Sequence, residues 1–322
     1  MEIKADMILV VSYEGEEHTA GVVNLLRAEG REVVQIDLAD FPVKSSMAMA
    51  WSSDAKPKYE IETSAGTVDL AKAKVGWWRR VRPFVIHPDI SRRSDIAFVE
   101  SETSQAVNGM LDALPCSWVN PREADAIAHH KPFQWTTAQG VGLRVPRTLV
   151  TSDPASARDF ISDIGVGAVV FKAFLASTQD WRETRLIESS DVDRLELVKY
   201  APVIFQEYIK GVDLRITVIG DNFYAAEIDA QHTRYPVDMR MVVGEAHVRP
   251  VILPASVRKK LLMLQRRLKL IYGAIDMRRT PEGEYYFLEV NPAGQWEFVE
   301  LRTQLPITRG MANMLASLDA AN

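Results

Sequence analysis

Asp276, Glu289 and Asn291 are the residues whose types and spacing point most directly to chemistry. Glu289 and Asn291 lie two positions apart in Tyr285-Tyr286-Phe287-Leu288-Glu289-Val290-Asn291, an aromatic and apolar run that reads as a strand. Strand alternation points both side chains the same way. A carboxylate beside an amide oxygen suits a hard cation such as Mg²⁺, which prefers oxygen ligands and keeps positions for phosphate or water. Asp276 sits in a second short apolar run, Ile271 to Met277, and Thr280-Pro281-Glu282-Gly283 makes a turn between the two. Antiparallel pairing would bring Asp276 to the other two.

The elements that must position these residues are legible in outline. Met7 to Val11, a helical pattern from Glu16 to Glu29, and Val33 to Asp37 make strand, helix, strand, the start of a parallel α/β layer. Residues 44–75 read as a meander or hairpins, Val75 to Arg80 as a strand, and Asp95 to Leu114 as a helix. Further helices are expected over Asp125 to Gln139, after Ser152-Asp153-Pro154, from Ser189 to Lys199, and over Ala255 to Leu270. With 322 residues the chain has room for two or three lobes, and 47% apolar with 25% charged residues is ordinary for a globular protein. A net charge of −5 disfavours a general nucleic-acid binder. The single Cys116 excludes an internal disulfide, and no run has the length of a membrane span or a signal-peptide core, so a cytoplasmic setting is expected.

A nucleotide site needs cations for the phosphates, and neither a Walker-type glycine loop nor Gly-x-Gly-x-x-Gly is present. Lys131, in His129-His130-Lys131-Pro132, and Lys172, closing Val169-Val170-Phe171-Lys172, are the candidate side chains. Val203 to Gly211 is an extended stretch whose backbone could meet an adenine edge, and Asp213-Leu214-Arg215 puts an acid and a guanidinium on one strand face. Arg215 suits phosphate or acyl-phosphate oxygens through its planar fork; its bland alternative is an ion pair with Asp213. Glu227 and Asp229 share a strand face that could equally be solvated.

In this order the motifs resemble the ATP-grasp ligases from about residue 125 to 315. Ile228 to Gln231, Val237 to Arg240, Asn291 to Trp296 and Trp77-Trp78-Arg79-Arg80 resemble more narrowly the ATP-grasp peptide maturases that crosslink ribosomal peptides (microviridin-type, or graspetide, ligases). That resemblance implies an N-terminal parallel α/β pre-ATP-grasp domain (1–122), a central lobe with the lid Ala173 to Trp181 (123–205), and a C-terminal lobe with the Mg/ATP site (206–322). It implies ATP and two or more Mg²⁺ as cofactors, with Asp276, Glu289 and Asn291 as metal ligands. ATP would be held by Lys131, Lys172, Gln206, Glu207, Tyr208, Ile209 and Asp213. Arg215, Lys172 and Arg240 would act in catalysis. The partners implied are a precursor peptide with a leader and a second copy of the chain, with no nucleic acid or membrane. Glu183, Asp191 and Asp193 lie where such ligases engage the leader, and Glu227 and Asp229 are further substrate contacts. The implied reaction activates Asp or Glu side chains as acyl phosphates and closes esters or amides with Ser, Thr or Lys. The alternatives are an ATP-grasp ligase adding free amino acids and a non-catalytic nucleotide-binding regulator.

Overall fold

A computed structural model describes residues 7–63, 66–174, 184–231, 233, 235, 237, 241 and 244–321. The chain divides into two compact units, Met1–Asp125 with Pro306–Asn322, and Ala126–Leu305. In the first unit β1 (Met7–Ser12), α1 (Glu17–Ala28) and β2 (Glu32–Ile36) are followed by an antiparallel sheet of β3 (Met47–Ser52), β4 (Ala55–Thr63) and β5 (Gly66–Asp69). Then come β6 (Ala73–Arg80), α2 (Arg93–Ala113), β7 (Ser117–Val119) and α3 (Arg122–Ala128). The main sheet has the order β2-β1-β6-β7, all parallel. β1 reads Met-Ile-Leu-Val-Val-Ser and is buried throughout, as an interior parallel strand covered on both faces must be.

The second unit opens with α4 (Lys131–Gly140), β8 (Thr148–Thr151), α5 (Pro154–Ile164) and β9 (Val169–Lys172). Asp153 accepts from the backbone N–H groups of Ala155 and Ser156, and Pro154 sits where its missing N–H costs nothing, so α5 starts there. Next come β10 (Arg185–Leu186), α6 (Ser189–Val192) and β11 (Val203–Glu207). β10-β9-β11-β8 form one antiparallel sheet backed by α5. β12 (Val212–Ile219), β13 (Asn222–Asp229), β14 (His247–Pro250), α7 (Ala255–Arg267), β15 (Tyr272–Arg279), β16 (Tyr285–Asn291) and α8 (Glu297–Thr303) complete the unit. Its five strands run β14-β13-β12-β15-β16, antiparallel. One face of that sheet, with Leu214, Ile216, Ile275, Met277 and Phe287, packs on α4 and α7 through Trp135, Leu261 and Leu264. The other face carries the polar residues.

Two local expectations differ. The helix expected over Asp125 to Gln139 is two, α3 and α4, because the chain turns at His129-His130 and Pro132 restarts it in a first turn. The helix expected from Ser189 to Lys199 is the single turn α6 followed by a 3₁₀ stretch over Leu195–Tyr200. Finally, α9 (Ile307–Ala321) rejoins the first unit, packing on α1 and β6, with Arg31 donating to Asp319 at 2.6 Å.

Two properties of the first unit are open to measurement. A Cβ at Gly76 would lie 2.4 Å from the Trp118 ring, so Gly76→Ala should lower stability by about 1–3 kcal/mol in urea unfolding. Glu16, the N-cap of α1, is buried, which by itself pushes its carboxyl upward. Hydrogen bonds from His18 and Thr19 and the Arg79 charge prevail and hold it down to about 2. Its contribution of about 3 kcal/mol is therefore present above an ordinary glutamate value and lost as pH falls through about 2. Glu16→Gln should be less stable at neutral pH and lose less on acidification; parallel acid limbs for the two proteins would contradict this.

Candidate active site

The site is assembled on the polar face of the five-stranded sheet. Asp276 of β15 stands directly opposite Glu289 of β16, and Arg215 of β12 stands opposite Asp276 from the other side. Like charges opposed on adjacent strands repel, so the pair demands a cation. Two side chains supply it. Arg215 Nη1 donates to Asp276 Oδ1 at 2.9 Å and Oδ2 at 3.0 Å, while Lys131 Nζ donates to Glu289 Oε2. Arg215 Nη2 also donates to the Gln295 carbonyl at 2.8 Å. Burial of this guanidinium pulls its pKa down, but the Asp276 carboxylate more than offsets that and holds it raised.

Register explains why Glu289 faces this way. Asp276 pairs with Glu289 but Met277 pairs with Phe287, so Leu288 is an extra residue bulged out of β16. Without the bulge Phe287 and Glu289 would share a face. With it, Phe287 packs in the core and Glu289 and Asn291 turn to the polar side. The bulge is held from α4. Trp135 Nε1 donates to the Leu288 carbonyl at 2.9 Å, and the Gln134 amide exchanges two hydrogen bonds with the Val290 backbone, at 2.8 and 2.9 Å. Lys131, Gln134 and Trp135 are spaced i, i+3 and i+4, one face of a helix, so the element that pins the bulge also delivers the lysine. Gln134 and Trp135 are functional neighbours that the sequence reading missed; that spacing was the signal.

A divalent cation fits this donor set. Asp276, Glu289 and Asn291 offer two carboxylates and an amide oxygen on one face, the hard oxygen ligands Mg²⁺ prefers. Asn291 Oδ1 accepts from the Ala293 N–H at 2.9 Å, which orients it and leaves a second lone pair. Among the described residues no three His, Cys, Asp or Glu side chains cluster to hold a metal alone, so remaining ligands would come from phosphate or water.

The other expected site residues are placed as follows. Asp213 is paired with Arg278, at 2.7 and 3.1 Å, rather than with Arg215. Arg278 also donates to the Ile209 carbonyl at 2.9 Å and lies 4.8 Å from the Tyr208 ring centroid, so one guanidinium ties the segment after β11 to the five-stranded sheet. Lys172 lies on the smaller sheet and donates to Gln206 Oε1 at 2.8 Å. The Glu207 N–H donates to the Arg147 carbonyl and the Tyr208 N–H to that of Ala168. Glu227 points to the opposite face of its sheet, clasped by Arg249 at 2.6 Å and by Arg279, while Asp229 accepts from the Gln231 N–H at 3.0 Å in its own turn. Asp191 is gripped by both Nη atoms of Arg185, at 2.7 and 2.8 Å, and Asp193 is exposed. Arg240 and Glu183 lie outside the described residues, as does most of the expected lid.

Residues 7–126 match the family of the MvdD pre-ATP-grasp domain. Among solved structures, the macrocyclase MdnC from Microcystis aeruginosa MRC, bound with precursor peptide MdnA, is 26% identical with a TM-score of 0.84, covering 97% of this chain and 99% of its own. A Chryseobacterium gregarium RiPP-associated ATP-grasp ligase, in complex with ADP and a leader and core peptide, is 24% identical with a TM-score of 0.87, covering 97% of each chain. The ATP-grasp ligase PsnB, complexed with a phosphomimetic variant of minimal precursor, Mg and ADP, is 23% identical with a TM-score of 0.78, covering 98% of this chain and 99% of its own. A search of curated proteins found no match. No helix among the described residues is long and apolar enough to cross a membrane. Residues 7–126 thus match an MvdD pre-ATP-grasp domain, the chain has the ATP-grasp fold, and over nearly its whole length it is similar to the macrocyclase MdnC.

Proposed function

We propose that this protein is an ATP-dependent ligase that crosslinks a ribosomal precursor peptide, joining Asp or Glu side chains to Ser, Thr or Lys side chains as esters or amides. The observation that carries this is the opposed Asp276–Glu289 pair bracketed by Arg215 and Lys131, in a chain similar to MdnC across 97% of its length. ATP and Mg²⁺ are the cofactors, two or more ions with Asp276, Glu289 and Asn291 as protein ligands, and the protein acts as a homodimer.

In this mechanism a peptide carboxylate attacks the γ-phosphorus of ATP, giving an acyl phosphate and ADP. A hydroxyl or amine then attacks the acyl carbon and phosphate leaves, yielding the crosslink with net loss of one water from the peptide. Bound Mg²⁺ would neutralise phosphate oxygens and orient them for in-line transfer. Lys131 and Lys172 balance phosphate charge. Arg215 is already fixed by Asp276 and the Gln295 carbonyl, so its positive charge is held beside a developing oxyanion without reorganisation. Gln206, Glu207, Tyr208, Ile209 and Asp213 would line the nucleotide, with Arg278 holding the last three in place. Arg240 and Glu183 keep their proposed catalytic and leader roles. The geometry gives Glu227 and Asp229 no such support.

Glu289→Gln should reduce peptide-dependent ADP release by about 100-fold or more, since several kcal/mol of charge stabilisation are at stake, with the urea midpoint kept. Mass spectrometry of a Thr- and acid-rich peptide encoded beside the gene should show one water lost per crosslink; retained activity in the variant would overturn the assignment. Asp191 is engaged by Arg185, so Asp193→Lys isolates the leader surface better than a double reversal. It should weaken peptide binding about tenfold and leave ATP affinity unchanged, measured by titration calorimetry. Unchanged peptide affinity would remove this segment from the leader site.

A further inference from the structure

The first unit carries a second cluster of charge, at the carboxyl ends of β1 and β6. The strand order β2-β1-β6-β7 places α1 after β1, leading to β2 on one side, while β6 lies on the other, so the sheet's switch point falls between β1 and β6. In open parallel sheets the crevice beyond the strand ends at such a point is where ligands bind. Three guanidinium groups, of Arg79, Arg80 and Arg82, meet two carboxylates there, Glu16 and Asp37.

Two features mark this as more than an ion-pair network. Adjacent strand residues ordinarily point to opposite faces. Yet Arg79 Nη2 and Arg80 Nε lie 3.7 and 4.0 Å from the same oxygen of Glu16. The cause is a register slip: Val11 pairs with Trp78 but Ser12 pairs with Arg80, so Arg79 is bulged out of β6 and both side chains turn to one place. Second, the carboxylate between them is already committed. Its Oε1 takes His18 Nδ1 at 2.8 Å, and its Oε2 takes the Thr19 N–H at 2.7 Å and the Thr19 hydroxyl at 2.6 Å. Among the described residues the buried Nε of Arg80 makes no hydrogen bond, and its side chain is 38% exposed. A partly exposed guanidinium held near an acid whose oxygens are bonded elsewhere is suited to take a carboxylate from outside.

We propose that Arg80, backed by Arg79 and set by the β6 bulge, forms an anion subsite in the first unit that takes an Asp or Glu side chain of the peptide. The idea rests on the peptide-ligase reading for its ligand, but binding here needs neither nucleotide nor metal, which lets the two be tested apart.

The test uses the full chain without ATP or Mg²⁺, titrated with fluorescein-labelled hexaglutamate and hexaglutamine and followed by anisotropy. Hexaglutamate should bind, Arg80→Ala should weaken it about tenfold, and Arg80→Lys should weaken it less, because an ammonium keeps the charge without the fork. Hexaglutamine should bind weakly and ignore both changes. Lys259→Ala, an exposed lysine of α7 in the second unit, should leave hexaglutamate affinity as it is. As a check that needs no variant, hexaglutamate and not hexaglutamine should protect Arg80 of the wild-type protein from phenylglyoxal, read by mass spectrometry. Equal hexaglutamate affinity with and without the Arg80 guanidinium, absent protection, or equal protection by inorganic phosphate at matched charge would overturn the subsite. Peptide-dependent ADP release alongside any of those results would leave the ligase reading standing while this inference falls. Arg80-dependent binding without ADP release would do the reverse.

Discussion

Two carboxylates facing each other across adjacent strands are the constraint around which the second unit is organised. Asp276 and Glu289 would repel if left to themselves, and the structure offsets that with one cation from each flank. Arg215 arrives from the neighbouring strand β12, rigid and nearly buried. Lys131 arrives from the first turn of α4. The two cations differ in kind. A guanidinium chelating a carboxylate and bonded to a carbonyl is a fixed feature, whereas an ammonium on a flexible stem can follow a phosphate and return.

The bulge at Leu288 is what lets one strand serve both core and site. Phe287 must pack beneath the sheet and Glu289 must stand above it, although they are two residues apart. A single extra residue reconciles them, and α4 secures it through Gln134 and Trp135. The first unit uses the same device at Arg79, where a one-residue slip gathers two arginines beside Glu16. In both places the irregularity sits where charge is concentrated, consistent with bulges serving to re-aim side chains.

Much of this was readable from residue order and strand alternation. The Glu289/Asn291 spacing, the turn before β16 and the acid in β15 suffice to predict the convergence, because antiparallel pairing and period two are local rules. What escaped was non-local. Alternation predicts a common face for Phe287 and Glu289, and only the register with Asp276 and Met277 reveals the bulge. Asp213 and Arg215 share a strand face, which made their mutual pairing a fair alternative, but each finds its partner on β15 instead. Glu227 showed amphipathic spacing that fits a substrate face as well as a salt-bridged one; Arg249 and Arg279, distant in sequence, place it among the latter. No pattern in Ile307 to Ala321 announces that the last helix rejoins the first unit.

The proposed chemistry depends on Asp276, Glu289 and Asn291, which would hold the divalent cations of a nucleotide site on this sheet face. Anomalous scattering from Mn²⁺ in crystals grown with a non-hydrolysable ATP analogue measures it directly. Peaks should fall about 2.2 Å from oxygens of all three side chains, with Lys131 drawn from Glu289 to the phosphates. Peaks elsewhere, with Lys131 and Arg215 still closed on the two carboxylates, would contradict the account.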